Sequence, residues 1–349
     1  MELNERKLRI LQAIVSDFIH SAEPVGSRTL AKNYDMGISP ATIRNEMSDL
    51  EEMGYLTHPH TSAGRVPSDK AYRKYVDELM KKKDLSPAEK EFIEDRISGT
   101  VAELEKVAAY AASLLSELTN LTAFATTPVP KEDKLRYVNL LPADERTVVL
   151  MIVAESGKVS NTVLRLNEPY TEENLQLLSK VMTHDYKGKS LKEIDTEDLM
   201  ARIRTDMTTL SGLAADIAPN FVQTLEKMLN EELYIDGLTN IFSIPEYSDI
   251  EKAKLFMEKM NRKKDFADVL NRRDNGLEIT IGDENDDEAL KDCTLITATY
   301  HVNGKMVGRI GVIGPTRMAY DEVSSVIEYL TDNLNRTFAL TEGDSNTNE

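Results

Sequence analysis

Apolar residues recur at helical spacing from the start of the chain. Leu8, Leu11, Val15 and Phe18 fall on one face, with Ile14 and Ile19 beside them. Pro24 and Gly26 end that first helix. Ser27 is placed to cap a short second helix reaching about residue 34, with Leu30 and Ala31 inward. After a turn at Gly37, Ser39 followed by Pro40 gives an N-cap and a proline at the first helical position. A third helix therefore starts there and runs to about Met53, where Gly54 stops it. The period then shortens. Tyr55-Leu56-Thr57-His58 and Arg65-Val66-Pro67 read as two short strands around a turn at 59–64. Ser68 caps another helix, which carries Tyr72, Tyr75, Val76 and Leu79 on one face. Three short helices followed by a hairpin are the sequence form of a winged helix-turn-helix.

A long helical stretch is expected from about 87 to 121, with Val101, Leu104, Ala108 and Leu115 on its apolar side. Residues 135–141, 147–154 and 159–166 are β-rich and fold back on one another. The block 169–235 reads as helical throughout, through Leu175, Leu178 and Met182, then Leu199, Ile203, Met207 and Leu210, then Val222, Leu225, Leu229 and Leu233. After a further helical stretch at 250–270, strands return at 277–281, 295–302 and 305–313, the last two flanking Asn303-Gly304, a hairpin signal. Val323, Val326, Ile327, Leu330 and Leu334 mark a closing helix, and the polar tail 341–349 is expected to be disordered. The pattern predicts an α+β multidomain chain. Residues 1–85 form the winged-helix domain, 86–168 and 236–340 an α/β domain, and the helical block 169–235 between its two parts is either an insertion or a separate lobe.

Length supports this division, since 349 residues suggest roughly two to three domains. Charge changes the picture more. The chain has 42 basic and 60 acidic residues, yet residues 1–83 hold 13 basic and 12 acidic, leaving 29 and 48 elsewhere. An acidic surface repels phosphate, so a nucleic-acid role must reside in the near-neutral first block. The single cysteine, Cys293, excludes an intrachain disulfide and a thiolate-rich metal site. No stretch approaches the roughly 18 apolar residues of a membrane span, and the charged start lacks an apolar signal region. The cytoplasm is the expected compartment, with no membrane partner.

On a wheel of about 100° per residue, Ile43, Met47 and Leu50 turn the third helix inward. Ala41, Thr42, Asn45 and Ser48 fall opposite, with Arg44 on the flank and Ser39 at the cap. Asparagine can pair bidentately with adenine and arginine with guanine, and small neighbours allow close approach to a major groove. The competing reading is an ordinary solvated helix face. At the hairpin, His60, Thr61, Ser62 and Arg65 suit phosphate or minor-groove contact; otherwise they are a generic turn. Ser27 and Arg28, opening the second helix, complete the candidate DNA-binding set. His58 and His60 lack a third ligand, so no metal is expected. The acidic run 283–288 lacks the spacing and glycine of a calcium loop and reads as solvated. Cys293 reads as a buried small hydrophobe, and His184, Asp185 and Tyr186 as loop residues. No catalytic motif or cofactor-binding loop is present.

Three runs carry a family resemblance: Ser39-Pro40-Ala41-Thr42-Ile43-Arg44-Asn45-Glu46-Met47, then Leu50-Glu51-Glu52-Met53-Gly54-Tyr55-Leu56, then the stretch from His60 through Gly64-Arg65-Val66-Pro67-Ser68 to Asp77. These closely resemble the heat-inducible transcription repressor HrcA family, and Gly314-Pro315-Thr316-Arg317-Met318 is similar to it further on. The resemblance implies a winged-helix domain, a GAF-like domain and an inserted helical dimerisation domain. It also implies a homodimer that binds the CIRCE inverted repeat in double-stranded DNA and represses DnaK and GroE operons. Support by the GroEL chaperonin, withdrawn during heat stress, is implied too. An inverted repeat requires a two-fold pair of readers, and linking them raises effective concentration.

The nearest rival is a repressor resembling the IclR type, whose GAF-like domain binds a small effector; it predicts an apolar pocket with convergent polar groups. An enzyme built on the acidic portion would need a nucleophile and base, and no such constellation is evident. A scaffold is the remaining alternative.

Overall fold

A computed structural model describes residues 3–59, 64–98, 104–126, 133–229, 232–302 and 305–341. The chain divides into two compact units, one made of 1–127 with 233–349 and the other of 128–232.

The first unit opens with α1 (Glu5–Ser21), capped by the Asn4 side chain, which accepts from the Lys7 amide at 2.9 Å. α2 (Ser27–Asn33) and α3 (Pro40–Glu52) follow. Ile10, Leu11, Ile14 and Val15 of α1 are wholly buried with Leu30, Ile43 and Leu50. The inward face of α1 is thus turned from the one expected: Ile10 carries it, while Leu8 and Phe18 are half-buried. Ser27 does not cap α2. It is the first helical residue, and Gly26 holds the cap position without a side-chain bond. β1 (Leu56–Thr57) pairs antiparallel with β2 (Val66–Pro67). Ser68 caps α4 (Asp69–Lys74) by accepting from the Ala71 amide, and the chain continues through a wider π-type turn over Tyr75–Leu79. Two helices, α5 (Pro87–Ser98) and α6 (Leu104–Thr119), stand where one long helix was expected; residues 99–103 lie outside the described set. β3 (Thr122–Thr126) leads out of this part.

In the second unit β4 (Leu135–Pro142), β5 (Thr147–Ala154) and β6 (Val159–Arg165) form an antiparallel sheet in that order. α7 (Glu172–Tyr186), α8 (Glu197–Asp206) and α9 (Ser211–Leu229) accompany it. Leu135, Val138, Leu140, Val148, Leu150 and Ile152 share one core with Leu175, Leu178, Ile217 and Phe221 of the helices. The strands at 135–166 therefore belong with the helical block, and the boundary expected at 169 falls at 128. α7 also covers the sheet edge. Ser179 Oγ accepts from the Leu140 amide at 3.0 Å, and Thr183 Oγ1 accepts from the Val138 amide and donates to its carbonyl, both at 3.0 Å. Such side-chain pairing occupies backbone groups that would otherwise template another strand. His184, Asp185 and Tyr186 are the last turn of α7, not a loop; Tyr186 is buried and stacks on Phe221.

The chain then returns to the first unit through β7 (Leu233–Asp236), so Leu233 starts a strand and does not extend a helix. α10 (Ile250–Asn261), α11 (Lys263–Asn271), β8 (Glu278–Ile281), β9 (Cys293–Val302), β10 (Lys305–Pro315) and α12 (Tyr320–Thr341) complete it. The five strands run antiparallel in the order β7-β3-β10-β9-β8. Val302 pairs with Lys305 across Asn303-Gly304, which lie outside the described residues, as does 342–349 of the polar tail. Alternation along the strands feeds both faces. Ala123 and Ala125 turn toward α6 and α12, Phe124 toward α10 and α11, where it meets Phe266 edge-on at 5.3 Å. The 1–85 block and the α5–α6–α12 side of the sheet form one continuous core.

Candidate nucleic-acid interface

α3 presents an exposed polar face on a fixed, buried back. Ser39 Oγ accepts from the Thr42 amide at 3.2 Å and lies 3.0 Å from Thr42 Oγ1, with Pro40 at the first turn. That cap defines where the helix begins. Ile43, Met47 and Leu50 are buried, while Ser39, Arg44, Asn45 and Ser48 are exposed and Thr42 is half-exposed. The division expected from the wheel is the one the structure shows.

The back of α3 is held electrostatically as well. Lys7 of α1, nearly buried, places its ammonium 2.8 Å from Glu46 and 2.9 Å from Asp49, and Arg6 reaches Glu46 at 3.3 Å. The hydrogen bonds that the Lys7 ammonium donates to Glu46 and Asp49 hold its pKa above the ordinary value against the opposing effect of burial. Glu46 and Asp49 therefore serve α1, leaving the outward face of α3 without a carboxylate directed at it from those positions. The only sequence signal for Lys7 is its place as a lone lysine on the otherwise apolar side of α1.

The hairpin is stitched to the rest of the module at its far end. Val25 and Arg65 exchange backbone hydrogen bonds, both 2.9 Å, adding a third short rung beside β2. Gly64 makes this possible, because a Cβ there would collide with the Val25 and Pro24 carbonyls. The Arg65 guanidinium lies 2.7 Å from Glu51 at the end of α3 and 2.9 Å from His58 Nδ1. In this structure Arg65 braces the hairpin against α3. His60, Thr61 and Ser62 lie outside the described residues. Ser27 is half-buried at the start of α2, and Arg28 beside it is exposed. The structure thus brings Ser39, Thr42, Arg44, Asn45 and Ser48 together on one helix, with Arg28 exposed on the preceding one.

The acidic run 283–288 is not simply solvated. Glu284 takes the Arg73 guanidinium, with Nε at 2.7 Å, and Asp287 pairs with Lys259. Burial raises the Glu284 carboxyl, but Arg73 and the Ile281 amide outweigh it and leave the group below its usual range. Among the described residues no group of three or more His, Cys, Asp or Glu side chains is placed to hold a metal ion.

A second surface stands out in the 128–232 unit. The side of the β4–β5–β6 sheet turned from its helices presents three cross-strand rows: Leu141–Val149–Val163, Asn139–Met151–Asn161 and Tyr137–Val153–Val159. Val163 is 66% exposed and Val159 49%. None of the nine positions is charged.

The architecture is that of a mixed α+β protein in which α3 turns a polar face outward while its apolar face is buried in the core shared with α1 and α2. The HrcA protein C-terminal domain model matches residues 105–323. The heat-inducible transcription repressor HrcA of Clostridioides difficile (strain 630) is 41% identical over 344 residues, covering 96% of this chain and 100% of its own. That of Alkaliphilus metalliredigens (strain QYMF) is 40% identical, covering 96% and 98%. A crystal structure described only as that of a hypothetical protein superposes with a TM-score of 0.66 at 25% identity, over 97% of this chain and 100% of that one. The chain belongs to the HrcA family of heat-inducible transcription repressors.

Among the described residues no helix is long and apolar enough to cross a membrane.

Proposed function

We propose that this chain is a sequence-specific, DNA-binding transcription repressor of heat-shock chaperone operons of the DnaK and GroE type, acting as a homodimer on the CIRCE inverted repeat. The observation that carries this reading is the exposed face of α3, where Arg44 and Asn45 stand among small hydroxyl residues above a buried apolar stripe. An amide and a guanidinium so placed supply the bidentate chemistry of base recognition. Residues 1–85 act as the winged helix-turn-helix, with Ser39, Thr42, Arg44, Asn45 and Ser48 in the groove. Ser27, Arg28, His60, Thr61, Ser62 and Arg65 flank the backbone. The antiparallel sheet with helices on both faces serves as the GAF-like domain. The 128–232 unit makes the dimer, and the three uncharged rows on the open side of its sheet suit a second copy of a chain with net charge −18, since they add no like-charge repulsion where the rows meet. A GroEL-type chaperonin maintains the active state, as the family resemblance implies.

The test is a gel-shift titration on an inverted-repeat duplex and a scrambled duplex, with and without chaperonin. Preference for the inverted repeat, raised by chaperonin, supports the reading; equal affinity for the two duplexes under both conditions rejects it.

One observation favours a second reading, a repressor with a small effector. A cleft of about 270 Å³ lies between residues 83–85, the end of α6 and the start of α12, with an apolar lining that includes Leu118, Met318 and Val326 and polar groups at Lys83, Asn120 and Glu322. Ligand-dependent melting shifts that also change DNA affinity would favour it.

A further inference from the structure

The Gly314-Pro315-Thr316-Arg317-Met318 run follows the last strand and has no part in the DNA-reading face. Arg317 nevertheless reaches the reading module. Its Nη1 donates to the Ile19 carbonyl, in the last turn of α1, at 2.7 Å, while its Nε and Nη2 form a fork on Glu246 at 2.5 and 3.1 Å. Carbonyls in the last turn of a helix lack intrahelical partners, so a guanidinium is a fitting cap there. The side chain is 15% exposed, well shielded from screening water. A second grip sits on α4. Arg73 binds Glu284 and the Ile279 carbonyl, and the Tyr72 ring packs on Tyr320 at 5.8 Å. Asp69 accepts from the Asp283 amide at 3.2 Å, against Gly282, where φ is +56° and a Cβ would collide with that carboxylate.

The two grips hold different helices of the module, α1 and α4, and neither uses α3. Non-directional packing in the continuous core leaves the module's rotation loosely specified; two directional grips on different helices fix it. The ion pairs of the connecting segment, Lys82–Glu328 and Lys83–Glu322, are exposed and worth little by comparison.

We propose that Arg317, backed by Glu246, and Arg73, backed by Glu284, are positioning residues for DNA recognition: they set the orientation of α3 on the α/β body and thereby the half-site spacing a dimer accepts. The inference rests on the reading of the chain as a dimeric reader of an inverted repeat. Two readers held rigidly engage both half-sites only when these are separated by the matching helical phase, a full turn being about 10.5 bp. Loosely held readers tolerate other phases but lose the gain of simultaneous binding.

The experiment uses the full-length protein and fluorescence anisotropy on four duplexes: the inverted repeat, the same half-sites with about 5 bp inserted (half a turn), a single half-site, and a scrambled control. The parent is expected to prefer the native spacing over the half-turn insertion by at least about 100-fold, within the range that linked binding supplies. In Arg73→Ala/Arg317→Ala that preference should fall to about 3-fold or less, with single half-site affinity held within about 2-fold of the parent, because α3 is untouched. Melting and sedimentation check that the variant is folded and dimeric. Should it fail to fold, Glu246→Gln, which keeps the arginine and removes its counter-charge, should show the same loss of spacing preference in smaller measure. Retention of the parent's spacing preference by a folded, dimeric variant overturns the inference. A parent that does not distinguish the inverted repeat from the scrambled duplex overturns the functional reading beneath it.

Discussion

The 1–85 block and the 128–232 unit present opposite surfaces. On α3 the exposed residues are polar and the apolar ones are sealed beneath; on the β4–β5–β6 sheet the exposed rows are largely apolar and uncharged. The first arrangement suits a hydrated, charged polymer whose base edges offer donors and acceptors. The second suits a surface that is itself apolar and comes with the same shape, a second copy of the chain. The contrast separates affinity per reader from the number of readers, and substitutions can attack each alone.

The largest effect is expected on the sheet. Met151→Asp, at the centre of the open face, should convert dimers to monomers in sedimentation velocity and lower inverted-repeat affinity by about 100- to 10,000-fold, the gain that linked binding provides. Single half-site affinity should stay unchanged. An intact dimer would remove the sheet face from the assembly. Next, Asn45→Ala should cost about 1–3 kcal/mol at the inverted repeat and relax base preference at one position per half-site, read by anisotropy on a set of single-base variants. Its mass should remain that of the dimer.

Smaller changes sharpen the same contrast within the module. Gly64→Ala forces a methyl against the Pro24 and Val25 carbonyls and should lower stability by about 1–3 kcal/mol in urea unfolding. Ser39→Ala removes the α3 cap and should cost about 1 kcal/mol. Arg65→Ala should matter least, about 1 kcal/mol or less, because it loses a partly exposed pair with Glu51. The slope of log affinity against log salt decides its role. An unchanged slope fits the bracing seen here, and a slope lower by about one shows that Arg65 meets a phosphate.

Local chemistry was legible in the sequence at several positions that neighbours along the chain determine, though not at Ser27, which opens α2 without capping it. The Ser39-Pro40 start, the Ser68 cap and the burial of Ile43, Met47 and Leu50 follow from residues within a turn or two. The β4–β5–β6 strands were legible too, but not their allegiance. Alternation tells that one face of a strand is buried, not which helices bury it, so the division fell at 169 instead of 128. Tyr186 was misplaced because a His-Asp-Tyr run is polar in composition, whereas the helix register turns the tyrosine onto Phe221. Arg73 with Glu284, and Arg317 with Ile19, join positions more than 200 residues apart. No periodicity reports such pairs, and the Glu284 carboxylate looked solvated for that reason. Arg65 was read for phosphate or minor-groove contact because hairpin arginines have that chemistry; its brace on Glu51, which lies across the module on α3, is not visible along the chain.

Cys293, at the start of β9, is the only thiol in the chain; it is buried beside the Tyr247 hydroxyl at 3.4 Å, and burial pushes its pKa up to about 11. Since the thiolate is the reactive form, maleimide chemistry at neutral pH should pass it by. A cysteine introduced at Ser48 or Val163 would then be the sole labelling point, so fluorophores or spin probes can be placed on either surface while the native residue stays where it is.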